Sequence, residues 1–174
     1  VFIEQHKLAT NPFAPDSVRP VFTSASMRHA RQQLERVLDG RLQSLFLSGQ
    51  AGVGKTTLLE QAVRGRAGLT CSWIESTLRT QAQLLRKLNA DIGPGDVAGN
   101  EAELRNILEV YLRHRTANGA RSVIVVDALE RLPLALIQTL ESLSNARLYN
   151  KPIVHCIMVT HNEALIRSLM AQQE

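Results

Sequence analysis

The sequence has few aromatic residues, only two cysteines and no long apolar run. Aromatic residues make up 4% of the 174 residues, so a buried core must consist mainly of Leu, Val, Ile and Ala. Cys71 and Cys156 each lie in a short apolar stretch, which excludes a disulfide framework and favours two buried thiols in a reducing compartment. The longest apolar runs, Val123–Val126 and Ile153–Val159, are far too short to cross a bilayer.

Runs of like charge are also missing. The 20 Lys and Arg residues and the 16 Asp and Glu residues give a net charge of +4, and the basic residues are scattered along the chain. Such a balance is compatible with nucleic acid or acidic lipid as a partner but does not indicate either. We find no signal peptide or membrane span and expect a cytoplasmic protein, or one at the cytoplasmic face of the inner membrane. Because the chain starts at Val1 rather than Met, we expect it to be a fragment.

The apolar pattern predicts one α/β domain over residues 23–174, after a proline-containing extended segment over residues 1–22. Strands and helices alternate, which is typical of a three-layer sandwich with a parallel sheet and helices on both faces. The predicted strands are Leu45–Leu47, Leu69–Ile74, Ser122–Val126 and Ile153–Val159. The predicted helices begin within Thr23–Ser26, after residue 54, at Ser76–Thr77, at Glu101, at Pro133 and at Asn162.

One glycine-rich motif follows the first predicted strand and opens a helix. Residues 49–56 read GQAGVGKT and match G-x-x-x-x-G-K-[ST], the P-loop. Its backbone N–H groups would cradle phosphates, Lys55 would reach the β- and γ-phosphates, and Thr56 would ligate Mg²⁺. The predicted nucleotide-binding residues are Gly49, Gln50, Ala51, Gly52, Val53, Gly54, Lys55, Thr56 and Thr57.

A carboxylate suited to the same metal ion ends the third predicted strand. Asp127 follows the buried run Val123–Val126, so we expect it beside the P-loop as a second Mg²⁺ residue. The next residue is Ala128, whereas many ATPases have a glutamate there to polarise the attacking water. Glu130 is our candidate for that role, the alternative being a water-facing residue of the following helix.

Polar residues also follow the last predicted strand. Among Thr160, His161 and Asn162, one side chain would sense the γ-phosphate or the lytic water, and we name Thr160 and Asn162 as catalytic candidates. His161 is explained more simply as a partly exposed histidine. Arg147 and Lys151 precede this strand and are either surface charges or a cation that reaches a neighbouring subunit's nucleotide.

The order of these motifs resembles the bacterial AAA+ ATPases of the ExeA/GspA type, which assist assembly of type II secretion machinery, and the ATPase domains of DamX-like cell-envelope proteins. The resemblance rests on Asn11-Pro12-Phe13, the P-loop, the strand ending at Asp127 and the polar strand end at residues 160–162. It implies ATP with Mg²⁺ as cofactors, Pro12-Phe13 beside adenine, a homo-oligomer, and partners within a secretion or envelope machine.

Two departures from that family leave several functions open. The pair Asp127-Ala128 replaces the usual Asp-Glu, and the chain stops at Glu174, before the helical lid that normally carries a second sensor arginine. The leading hypothesis is a nucleotide-driven switch or assembly ATPase. The alternatives are a degenerate ATP-binding module with little hydrolysis, a DNA-associated ATPase such as a transposition or helicase-loading regulator, and, last, a small-molecule kinase.

Overall fold

The computed structural model describes residues 24–171 of the chain, with side chains through residue 168. The extended segment predicted for residues 1–22, including Asn11-Pro12-Phe13, lies outside the described residues. The six α-helices of the described part are α1 (Ala25–Leu38), α2 (Lys55–Val63), α3 (Gln81–Ile92), α4 (Glu101–Ala117), α5 (Leu134–Asn145) and α6 (Glu163–Ala171). Its strands are β1 (Ser44–Ser48), β2 (Leu69–Ile74), β3 (Arg121–Val126), β4 (Arg147–Leu148), β5 (Lys151–Pro152) and β6 (His155–Thr160).

Four of the strands form one parallel sheet in the order β1-β6-β3-β2. Ser48 pairs with Thr160, and Val126 pairs with both Met158 and Ile74, so the carboxyl ends of the strands lie along one edge. Strand β6 lies between β1 and β3, and the segments that follow these three strands are therefore neighbours. Ligands of open parallel sheets bind at this edge, and the P-loop, Asp127 and His161 all emerge there.

Helices cover both faces of the sheet. On β3, Val123 and Val125 pack in the core cluster that holds the buried leucines of α1 and α2, whereas Ile124 and Val126 pack in the cluster of α3, α4 and α5. Because both faces of a strand between two helical layers are buried, its sequence is a continuous apolar run rather than an alternating one. The structure confirms the predicted three-layer α/β sandwich.

Hydroxyl and amide caps set several helix starts. The Ser24 hydroxyl accepts a hydrogen bond from the Met27 N–H (3.2 Å), as the sequence predicts for α1. The prediction that Ser76–Thr77 caps the helix after β2 is wrong, because this helix, α3, begins at Gln81. There the Thr80 hydroxyl accepts from the Gln83 N–H and the Gln83 carboxamide oxygen accepts from the Thr80 N–H, both at 3.2 Å. This reciprocal pair satisfies two backbone donors at the start of α3.

A short antiparallel hairpin, β4–β5, separates α5 from β6. The sequence predicted a strand over Ile153–Val159, but β6 starts at His155, because the preceding residues serve the hairpin and the bend after it. Strands of two residues are too short to give a periodic signal. None of the helices between residues 24 and 171 combines the length and the apolar character that a bilayer crossing requires.

Candidate nucleotide-binding site

The P-loop connects the end of β1 to the start of α2. Gly52 (φ 78°) and Gly54 (φ 88°) have left-handed backbone conformations that side-chain-bearing residues rarely adopt, and Gly54 is the N-cap of α2. Since Gly54 has no side chain to cap the helix, the first N–H groups of α2 have no side-chain partner there. A helix N-terminus of this kind attracts anions through its free donors and its positive dipole end.

The Lys55 ammonium lies inside the loop. Its side chain is almost fully buried, with the residue 8% exposed. Lys55 Nζ donates to the carbonyl oxygens of Gly49 (2.8 Å) and Gln50 (2.7 Å) and lies 3.2 Å from His161 Nδ1. These contacts hold a positive charge at the mouth of the loop, where the phosphates of a nucleotide would enter.

Two side-chain oxygens meet at the start of α2. The Thr56 hydroxyl at the start of α2 donates to Asp127 Oδ2 at the end of β3, and the two oxygens are 2.7 Å apart. Mg²⁺ prefers oxygen ligands and is usually held by one or two protein groups together with substrate phosphates. The residues present therefore fit a Mg²⁺ ion shared with a nucleotide. Within residues 24–168 the structure contains no group of three or more His, Cys, Asp or Glu side chains that could hold a metal ion by themselves.

The turn after Asp127 presents two charged side chains. Ala128 adopts a left-handed conformation (φ 61°) and starts the 3₁₀ turn Leu129–Arg131. Leu129 and Leu132 are buried at 0% and 7% exposure and anchor both ends of this turn in the core. Glu130 and Arg131, between these anchors, lie on the outer side of the turn.

Glu130 is held by the end of β6. Its Oε2 accepts a hydrogen bond from the Thr160 hydroxyl (2.6 Å), and its Oε1 lies 3.9 Å from His161 Nε2. Partial burial raises the pKa of Glu130, but hydrogen bonds from Thr160 and from the backbone N–H groups of Glu130 and His161, together with the His161 ring, outweigh it. The net pKa is below the ordinary value for glutamate, so the side chain is a carboxylate at neutral pH.

The structure separates the three polar residues at the end of β6. Thr160 is fully buried and bonds to Glu130. The Asn162 carboxamide oxygen accepts from the N–H groups of Ala164 (3.0 Å) and Leu165 (3.3 Å), so this side chain caps α6 as predicted. Only His161 lines the cavity described below, although the sequence analysis ranked it behind its neighbours.

These elements enclose an open cavity of about 410 Å³. Its wall includes two residues that the sequence analysis did not assign to the site, Ala128 and Arg131. The predicted binding residue Val53 is about half exposed and is not part of the wall, and Gly49 and Gln50 contribute to the site through the carbonyl groups that hold Lys55. The wall consists of Ala51, Gly52, Gly54, Lys55, Thr56, Thr57, Asp127, Ala128, Arg131 and His161.

Comparison with known proteins identifies a family for this chain. The sequence model of the AAA domain family matches residues 38–167. Cdc6p from Pyrobaculum aerophilum has a similar structure, with a TM-score of 0.58 and 18% identity over 86% of this chain. ORC2 from Aeropyrum pernix, solved in ADPNP and ADP complexes, has a TM-score of 0.62 and 14% identity over 92% of this chain.

Both structural relatives are longer than this chain, which covers 43% of the Cdc6p chain and 48% of the ORC2 chain. At these identities the similarity concerns the fold. No curated protein matches the sequence significantly. The family match spans both sequence motifs of the cavity, the P-loop and the strand ending at Asp127, and the fold is that of the P-loop NTPases. The chain therefore belongs to the AAA domain family of ATPases.

Proposed function

We propose that this domain binds ATP with Mg²⁺ at the cavity and acts as a nucleotide-driven switch. The observation that carries the proposal is the meeting of Lys55, Thr56 and Asp127 in one cavity at the carboxyl edge of the sheet. AAA ATPases generally bind ATP with Mg²⁺, and the similar ORC2 structure was solved with ADPNP and ADP, which supports adenine nucleotides as the ligands.

The proposed roles follow from position and chemistry. The N–H groups between Gly52 and Thr57 bind the phosphates of the nucleotide, and Lys55 supplies a point charge to the β- and γ-phosphates. Thr56 and Asp127 supply oxygen ligands to Mg²⁺, which would neutralise phosphate charge during hydrolysis. Because the His161 ring lies 3.2 Å from Lys55 Nζ, it is better placed than Thr160 or Asn162 to respond to the terminal phosphate.

Glu130 is the best available group to orient an attacking water. It is ionised, and it lies on the turn that follows Asp127. Glu130 is not part of the cavity wall and its Oε2 accepts from Thr160, so its carboxylate must reorient toward the cavity before it can act on a water there. We therefore propose slow hydrolysis rather than rapid turnover. Release of phosphate separates this function from a module that only binds ATP.

The wider role is proposed on the resemblance to ExeA/GspA-type and DamX-like proteins. In that role the domain forms homo-oligomers within a longer protein and passes its nucleotide state to partners in a secretion or envelope machine. The chain covers less than half the length of its structural relatives. Assembly therefore has to be measured on the full-length protein, by comparing its oligomeric state with and without ATP.

The test of the nucleotide site compares Lys55→Ala with the unmodified chain by calorimetric titration with ATP and Mg²⁺. Loss of a charge-assisted contact should weaken binding by roughly 1.5–3 kcal/mol. Lys87→Ala is the matched control, because Lys87 lies on α3 and pairs with Asp91 at 3.1 Å, away from the cavity. Equal affinities of Lys55→Ala and the unmodified chain would refute the assignment.

The β4–β5 hairpin favours a second candidate function, an ATPase that acts on single-stranded nucleic acid. Tyr149 at its tip is 91% exposed, with Arg147 and Lys151 on either side. Over residues 24–168, no carboxylate lies within 4.0 Å of either cationic group. An exposed aromatic ring between unneutralised cations is a typical platform for a stacked base and its phosphates.

Fluorescence anisotropy with a labelled single-stranded oligonucleotide tests this candidate. Binding should weaken steeply with added salt, and Tyr149→Ala should weaken it at every salt concentration. Tyr111→Phe, a change on α4 away from the hairpin tip, serves as the control. Failure of the unmodified chain to bind at low salt would refute the candidate and leave the nucleotide site unaffected.

A further inference from the structure

We propose that Arg131 binds the terminal phosphate of the nucleoside triphosphate and that it does so from the same chain that carries the P-loop. The inference rests on the proposed function, because it assigns one more residue of that site. Arg131 would contact the nucleotide of its own domain. This differs from the role considered for Arg147 and Lys151, which would reach the nucleotide of a neighbouring subunit.

The 3₁₀ turn determines where Arg131 points. Its N–H donates to the Ala128 carbonyl oxygen (3.0 Å), and the Leu132 N–H donates to the Leu129 carbonyl oxygen (3.1 Å), which closes the turn. Both leucines are buried in the core. The turn is therefore fixed at both ends, while the Arg131 side chain remains exposed and forms part of the cavity wall with Lys55 and Asp127.

Arg131 has no competing carboxylate in the part of the chain that the structure describes. No Asp or Glu oxygen of residues 24–168 lies within 4.0 Å of its guanidinium. The adjacent acid, Glu130, is instead engaged by the Thr160 hydroxyl and faces the His161 ring. The guanidinium is thus available to an anion in the cavity, and an anion there would not have to displace an ion pair.

The position of Arg131 within the cavity points to the γ-phosphate rather than to the α- or β-phosphate. The P-loop backbone would bind the phosphates nearer to the nucleoside, and Thr56 and Asp127 would hold a Mg²⁺ ion that neutralises charge on the terminal phosphates. Arg131 belongs to the turn that follows Asp127 at the end of β3, whereas the P-loop follows β1, and β6 lies between these two strands. A side chain on that turn would contact the γ-phosphate, the last phosphate of the nucleotide.

Arginine suits this task chemically. Its planar guanidinium donates two parallel hydrogen bonds to phosphate oxygens and remains charged at any physiological pH. The Lys55 ammonium already has two loop carbonyl oxygens and the His161 ring nitrogen within hydrogen-bonding distance. A second cation in the cavity would add binding energy for a triphosphate and would stabilise the charge on the transferred γ-phosphoryl group in the transition state.

Calorimetric titration with ADPNP and with ADP, each with Mg²⁺, tests the assignment without relying on turnover. For Arg131→Ala we expect ADPNP binding to weaken about 10- to 150-fold, the loss of one charge-assisted contact, and ADP binding to change little. The ADPNP affinity of Arg131→Lys should lie between those of Arg131→Ala and the unmodified chain, because lysine keeps the charge but not the paired donors. The effect should be the same at low and at high protein concentration, since the residue comes from the same chain.

The control variant is Arg86→Ala, which removes an exposed arginine of α3 that is not part of the cavity wall. Unchanged ADPNP affinity of Arg131→Ala, or an equal loss for ADPNP and ADP, would overturn the Arg131 assignment while nucleotide binding by the unmodified chain still stands. Failure of the unmodified chain to bind either nucleotide would instead overturn the proposed function, and the assignment with it. A thermal melt of Arg131→Ala confirms that the variant is folded, as expected for an exposed side chain.

Discussion

Replacing Thr160 by valine removes one hydroxyl group and keeps the shape of the side chain. In the structure this hydroxyl is fully buried, donates to Glu130 Oε2 at 2.6 Å and accepts from the Asn162 N–H at 3.0 Å. A hydrogen bond to a charged group contributes roughly 1.5–3 kcal/mol, and water around the partly exposed carboxylate reduces that figure. We expect Thr160→Val to lower the free energy of unfolding by about 1–2 kcal/mol at pH 7.

The pH dependence of this loss identifies its origin. The folded-state pKa of Glu130 is below its ordinary value of 4.5, so the carboxylate contributes stability above that pH. This contribution is lost as the pH falls below 4.5 through the folded-state pKa, because the folded and unfolded states then both bind the proton. The hydroxyl donor is part of what lowers the pKa. The difference in stability between Thr160→Val and the unmodified chain should therefore shrink in this acidic range.

Urea denaturation at a series of pH values from neutral to acidic measures that difference. Thr139→Val is the matched control, since Thr139 is buried and its hydroxyl donates to the Ala135 carbonyl oxygen rather than to a carboxylate. The Thr139→Val loss should be independent of pH. A Thr160→Val loss that is equally independent of pH would refute the claim that the ionised Glu130 carboxylate is held by Thr160.

Two further predictions concern the cavity wall and the thiols. Ala128→Glu should raise the rate of phosphate release from ATP, because residue 128 lines the cavity and the new carboxylate would orient water. A malachite green phosphate assay measures this rate. An unchanged rate would mean that slow hydrolysis has another cause. Burial raises the pKa of the Cys71 and Cys156 thiols to about 12, with the Asp91 charge adding to the effect at Cys71, so neither thiol should react with Ellman's reagent at pH 8 until urea unfolds the chain. Rapid labelling of the native chain would show that one of these strands opens readily.

The sheet and the chemistry of the P-loop could be predicted from the sequence because each depends on local patterns. The run at Val123–Val126 requires burial on both faces, and GQAGVGKT after a strand determines both a turn and a helix start. Asp127 could be expected near the P-loop because both follow buried strands of one parallel sheet and therefore lie at the same edge. The structure brings Thr56 and Asp127 to 2.7 Å, as that argument requires.

The side chains that face the cavity from the Asp127 side could not be predicted in the same way. Whether His161 or Thr160 points into the site depends on the orientation of the last residue of β6, and a strand that is buried on both faces has no polar–apolar alternation to indicate this. Arg131 reaches the cavity only because a 3₁₀ turn follows Ala128. The spacing of the two buried residues Leu129 and Leu132 is the sequence signal that could have indicated this turn.

The most direct test of the central claim is a calorimetric titration of the unmodified chain with ATP, in the presence and in the absence of Mg²⁺, with adenosine as the reference ligand. We predict saturable binding of ATP at one site, tighter with Mg²⁺, and much weaker binding of adenosine, because the cavity contacts are directed at phosphates and the metal ion. Absence of ATP binding, or equal affinity for ATP and adenosine, would contradict the assignment of this cavity as a nucleotide phosphate site.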